Sequence, residues 1–150
     1  ETRSHLLEQL SVMLGGRAAE KLVFDEMTTG AADDIAKATD VARSMVVDYG
    51  MSTLGPINLN STPEGIRAFM EPAQISPEMA SKIDQEVKKL MDAAYKKAAS
   101  ILTNLREKLD LVASELIKKE TLEAEDFEKL VGAKARSISS GRAALATVRF

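Results

Sequence analysis

Residues 76–105 read SPEMASKIDQEVKKLMDAAYKKAASILTNL. Within them Ile83, Val87, Leu90, Ala94, Ala98, Ile101 and Leu105 follow one another at steps of three or four. That spacing lines apolar side chains along one face of an α-helix. Ser76 stands where a side-chain cap is wanted. Pro77 occupies the first helical position, where a missing N–H leaves no bond unmade. The stripe runs on through Leu109, Val112 and Leu116. Asn104 interrupts it, and asparagine favours caps over helix interiors. The pattern therefore predicts a helix to about Thr103, a turn, and a second helix to about Lys119, paired as an antiparallel hairpin. One unbroken helix is the alternative.

Upstream, from about Ser4 to Val23, Leu6, Leu7, Leu10, Leu14, Ala18 and Leu22 repeat the helical spacing, with Ser4 as the expected cap. Gly15 and Gly16 fall inside it. Each costs about 1 kcal/mol relative to alanine, so the pair implies a bend or a close backbone approach. A loop from Phe24 to Thr29 leads to a helix over 31–49, capped by Thr29 or Gly30. Its inner stripe is Ile35, Ala38, Ala42, Met45 and Tyr49, and Gly50 is its stop. Residues 51–75 carry Gly55, Pro56, Pro63, Gly65 and Pro72 and read as an irregular connection, with room for a short strand at Ile57–Leu59. A last helix is expected over 124–131, ended by Gly132. Lys134, Arg136, Arg142 and Arg149, without an acid, mark 132–150 as a flexible basic tail. The expected fold is all-α: a helical bundle with a long helical hairpin and one irregular connection.

Composition agrees. Hydrophobic residues make up 45% of the 150 and charged residues 29%, which are globular values. Aromatics are 4% and tryptophan is absent, so the core is aliphatic, as in helical packing. A net charge of −3 with interspersed signs does not mark a nucleic-acid binder. The absence of cysteine excludes disulfides, a thiol nucleophile and a Cys-ligated metal. No apolar run approaches the roughly 18–20 residues that cross a bilayer. The first residue is Glu1, and the expectation is a fragment or processed product of a longer protein.

His5 is the single histidine, so a His-Glu-x-x-His pair cannot be formed within these residues. Neither a Gly-x-Ser-x-Gly elbow nor a phosphate-binding Gly-Lys-Ser/Thr loop occurs. His5, in a polar first turn, reads as a surface side chain. Asp33 and Asp34 open the second helix, where the positive end of the helix dipole stabilises acids. Asp34 shares a face with Ala38, Val41 and Met45. It is therefore expected to point toward the buried side, where a carboxylate needs a cation, hydrogen bonds or a metal.

The ordered motifs resemble one family. Leu14-Gly15-Gly16-Arg17-Ala18-Ala19-Glu20 with Leu22-Val23-Phe24 resembles the helix following the active site of FtsH-type AAA proteases. Thr28-Thr29-Gly30-Ala31-Ala32-Asp33-Asp34-Ile35 is similar to the family's Thr-Gly-Ala-x-x-Asp-Leu/Ile signature. Ala38-Thr39, Ala42-Arg43, Tyr49-Gly50-Met51-Ser52, Leu54-Gly55-Pro56, Ile83-Asp84, Ala94-Tyr95 and Glu120-Thr121-Leu122 continue the series. The resemblance covers residues 4 to about 131.

It implies a helical zinc peptidase domain joined to a hexameric, ATP-binding AAA module, anchored in a membrane and acting on protein substrates. The peptidase domain would lie in an aqueous compartment, the cytoplasmic face in bacteria. In that family zinc (Zn) is held by two histidines and a distant aspartate, which corresponds to Asp34. The histidine motif is expected before residue 1, with the Walker loop and membrane helices also outside the chain. No catalytic residue is therefore assigned to this chain, and alone it is expected to be inactive and without tight zinc binding. Asp33 stands where the family usually has asparagine. The alternative reading is a non-catalytic helical association module that uses the hairpin at 77–119.

Overall fold

A computed structural model describes residues 1–59 and 75–132. Among them the chain is all-α, with six helices, one 3-10 turn and no strand. It divides into two compact units, Glu1–Asn104 and Leu105–Phe150.

The first unit holds α1 (Arg3–Met13), α2 (Gly15–Phe24), a 3-10 turn (Thr29–Ala31), α3 (Ala32–Val47) and α4 (Pro77–Asn104). The long helix α4 is the common support, since α1, α2 and α3 all pack against it. Leu6, Leu10 and Leu14 meet Ala38, Ala42, Met45 and Val46, and Ile83, Leu90 and Ala94 close the core from α4. Ala38 and Ala42 are fully buried. Small side chains there let the helix axes approach. Ser76 caps α4 as expected, its Oγ accepting the Met79 N–H at 3.2 Å.

Several local expectations are corrected. The cap of α1 is Thr2 rather than Ser4, with Thr2 Oγ1 accepting the His5 N–H at 3.2 Å. The glycine pair divides the expected single helix into α1 and α2 at Leu14. Leu14 N–H still reaches the Leu10 carbonyl at 3.1 Å, and Ala18 N–H the Leu14 carbonyl at 3.0 Å. The interruption is thus a local break in the helix, not a loop. No neighbour crowds Gly15 or Gly16, so close approach is not its reason. Thr28, not Thr29 or Gly30, caps the chain's next turn, and α3 begins only at Ala32.

Helix α3 stops at Val47, leaving Tyr49 outside the stripe and 59% exposed. Tyr49 N–H turns back to the Ser44 carbonyl at 3.0 Å, and Met51 N–H to that of Met45 at 2.8 Å. Gly50 makes this possible at φ 60°, where an added Cβ would lie 2.9 Å from Pro56 Cα. Ile57–Leu59 forms no strand. Leu59 N–H donates instead to the Val47 carbonyl at 2.8 Å. The rest of the expected irregular connection, 60–74, lies outside the described residues.

The second unit contains α5 (Arg106–Lys119) and α6 (Ala124–Val131), which pack on each other. The expected break at Asn104 is where α4 ends, and Gly132 ends α6 as anticipated. No residue of α5 or α6 is buried. Residues 133–150 of the expected tail lie outside the described residues. No helix among the described residues is long and apolar enough to cross a membrane.

Candidate metal centre

The turn that leads into α3 is held by α2. Arg17 and Glu20 lie one helical turn apart and project toward it. Arg17 Nη1 donates to the Thr28 carbonyl at 2.9 Å. Glu20 Oε1 accepts the Thr28 hydroxyl at 2.8 Å, and Glu20 Oε2 stands 3.4 Å from the Thr28 N–H. Thr28 Oγ1 in turn accepts the Gly30 N–H at 3.1 Å. The Gly-Gly-Arg-Ala-Ala-Glu and Thr-Thr-Gly-Ala stretches are thus two halves of one hydrogen-bonded junction. Its backbone is anchored by Ala18 and Ala31, both buried.

The first turn of α3 follows, carrying Asp33 and Asp34. Here the structure corrects an expectation: Asp34 is exposed, as is Asp33. Asp34 lies on the flank of the stripe formed by Ile35, Ala38 and Ala42. Face assignment from periodicity gives a direction around the axis, not what stands over it. No ion pair among the described residues involves either carboxylate. His5 is also exposed, as expected, with a ring nitrogen 3.0 Å from Gln9 Nε2. It is not gathered with Asp34, and no group of three or more His, Cys, Asp or Glu able to hold a metal occurs among the described residues.

A second polar feature went unread in the sequence. Glu86 is 7% exposed, buried in the stripe of α4 between Ile83 and Leu90. Its Oε1 pairs with Lys89 Nζ at 2.5 Å, and its Oε2 accepts the Thr53 N–H at 3.1 Å. The Lys89 contact, then the Thr53 N–H, hold its carboxyl below the usual carboxylate range despite burial. The signal was present: an acid three residues after Ile83 and four before Leu90 must share their face. Arg3 Nε adds a bond to the Met51 carbonyl at 3.1 Å. These ties seat the segment beyond α3 but bring no further acid to Asp34.

The chain matches Peptidase family M41 over residues 1–130 and belongs to that family. Among its relatives, the ATP-dependent zinc metalloprotease FtsH of Pseudothermotoga lettingae is 43% identical over 134 residues, covering 87% of this chain and 21% of that protein. The ATP-dependent zinc metalloprotease FtsH of Mycobacterium leprae is 49% identical over 131 residues, covering 85% of this chain and 17% of that protein. The chain thus spans about a fifth of the length of these curated relatives.

Zinc prefers three protein ligands and a water in catalytic sites. Asp34 is helix-borne, exposed and in no ion pair among the described residues. The described residues do not complete such a site, so no catalytic step is assigned to this chain.

Proposed function

We propose that this chain is the C-terminal part of the peptidase domain of a membrane-anchored, ATP-dependent zinc metalloprotease that degrades proteins. In this reading Asp34 is the metal ligand it contributes. Residues 1–131 form the scaffold that holds that carboxylate within a hexameric assembly, and 132–150 are a basic tail. The two histidines and the water-activating glutamate belong to segments outside this chain. So do the ATP-binding module and the membrane anchor. The peptidase domain works in an aqueous compartment, on the cytoplasmic side in bacteria.

The observation that supports this reading best is the position of Asp34. It opens α3 immediately after a turn braced by Arg17 and Glu20, and it faces outward. A ligand whose partners come from other segments belongs on such a face. In the complete protease, Asp34→Ala is expected to abolish both zinc retention and proteolysis, measured by metal analysis and by degradation of an unfolded protein substrate. Zinc retained at full occupancy refutes the ligand assignment.

A further inference from the structure

We propose that Arg17, Glu20 and Thr28 are positioning residues that set where the Asp34 carboxylate stands. The inference rests on the reading of Asp34 as a zinc ligand. It starts from a weakness in α3: the residue at its N-cap is Ala31, and no side chain caps the helix. An uncapped helix start leaves backbone N–H groups without partners and tends to fray. A metal ligand on the first turn requires the opposite, a geometry held to about 0.5 Å.

The preceding turn supplies what α3 lacks. Three polar groups of Thr28 are engaged: its carbonyl by Arg17, and its hydroxyl and N–H by Glu20. The hydroxyl oxygen also takes the Gly30 N–H. Arg17 and Glu20 stand 3.9 Å apart with side chains only 22% and 27% exposed, so the pair is not a loose surface contact. Gly30 shows how closely the turn is seated. A Cβ there would lie 3.3 Å from Thr28 Oγ1 and 3.9 Å from Glu20 Oε1. The brace from α2 is therefore hydrogen-bonded as far as Gly30, one residue before the N-cap of α3. Among the described residues no hydrogen bond joins any of the three to the Asp34 carboxylate, so they act through the backbone of the turn. Groups bonded directly to a ligand typically change metal affinity about 10- to 100-fold when altered, which bounds the effect from above.

The test uses the complete protease and the variants Thr28→Val, Thr28→Ser, Glu20→Gln and Asp34→Asn. Zinc affinity is read by competition with a chromogenic chelator, and the melting temperature is read on the zinc-free protein. Thr28→Val keeps the shape and loses the hydroxyl. It is expected to weaken zinc binding by about 10-fold, the low end for a group bonded directly to a ligand, with the zinc-free melting temperature lowered by no more than a few degrees, as loss of a cap entails. Glu20→Gln should behave similarly, and Thr28→Ser should restore the wild-type affinity. Should Glu20→Gln fail to fold, the Thr28 pair decides alone. Wild-type zinc affinity in Thr28→Val, while Asp34→Asn loses zinc, leaves the ligand reading standing and overturns the positioning role. Losses in Thr28→Val that Thr28→Ser does not rescue, or that come with loss of the zinc-free fold, also overturn it. Wild-type zinc affinity in Asp34→Asn overturns the ligand reading itself, and the positioning role with it.

Discussion

Replacing Glu86 by alanine removes an acceptor that the core of the first unit is built around. One carboxylate oxygen lies 3.1 Å from the Thr53 N–H and the other 2.5 Å from Lys89 Nζ. The lysine side chain is 67% exposed, so that pair is screened and contributes at most about 1 kcal/mol. The larger effect is on Thr53, an exposed residue whose N–H loses a charged acceptor, a bond worth about 1.5 kcal/mol where water can replace it. Glu86→Ala is therefore expected to destabilise the first unit by about 1.5–2.5 kcal/mol. Glu86→Gln keeps an oxygen for Thr53 and should cost about 1 kcal/mol or less. Urea unfolding followed by tyrosine fluorescence reports this unit selectively, because both tyrosines, Tyr49 and Tyr95, lie within it and the chain has no tryptophan. The pH dependence has a definite sign. The folded-state carboxyl sits below its ordinary value of 4.5, so its contribution is complete above that value and is lost as pH falls through the folded one. The difference between wild type and Glu86→Gln should accordingly shrink below about pH 4.5. A loss under about 0.5 kcal/mol for Glu86→Ala, or a wild-type-to-Gln difference unchanged down to pH 3, would refute the reasoning.

Two further substitutions are read by the same unfolding assay. Gly50→Ala forces a side chain into the left-handed region and against the Pro56 backbone. A loss of at least about 2 kcal/mol is expected, and a neutral result would mean the turn after α3 is not the rigid feature described. Leu10→Ala empties a fully buried position facing α3 and α4 and should cost about 2–5 kcal/mol. Val12→Ala, at a site 79% exposed on the same helix, should stay within about 0.5 kcal/mol.

The helices were legible because the core is aliphatic and its spacing is regular. Ile83, Leu90, Ala94 and Ala98 are buried and Val87 half-buried, as the stripe of α4 predicts, whereas Ile101 and Leu105 at its far end are exposed. The cap at Ser76 and the stop at Gly132 were readable from residue type alone. The errors share a cause: periodicity reports a direction around a helix axis, whereas burial depends on what packs there. Tyr49 continues the arithmetic of its stripe, yet the chain has already turned at Gly50. Asp34 flanks the buried stripe, yet the residue itself is exposed. Ser4 was a plausible cap, and Thr2 prevailed because its hydroxyl meets the His5 N–H. The bracing of Thr28 by Arg17 and Glu20 was hidden for another reason. It joins two motifs through side chains across a loop, and neither motif alone says what it holds.

Both ends of α3 are governed from outside the helix. At its start, α2 grips Thr28, and the turn passes that constraint to a helix without a side-chain cap. At its end, Gly50 reverses the chain, Leu59 takes up the Val47 carbonyl, and Glu86 of α4 fastens Thr53. Between them, Ala38, Ala42 and Met45 bury the helix against α1 and α4. A helix fixed in this way cannot shift along its axis without breaking hydrogen bonds at both ends. On the proposed reading, that is what a single contributed ligand demands. Asp34 can serve partners on another segment only if its own helix is already in place. On the same proposal its exposure has a use: the carboxylate stands at the surface, open to ligands from other segments.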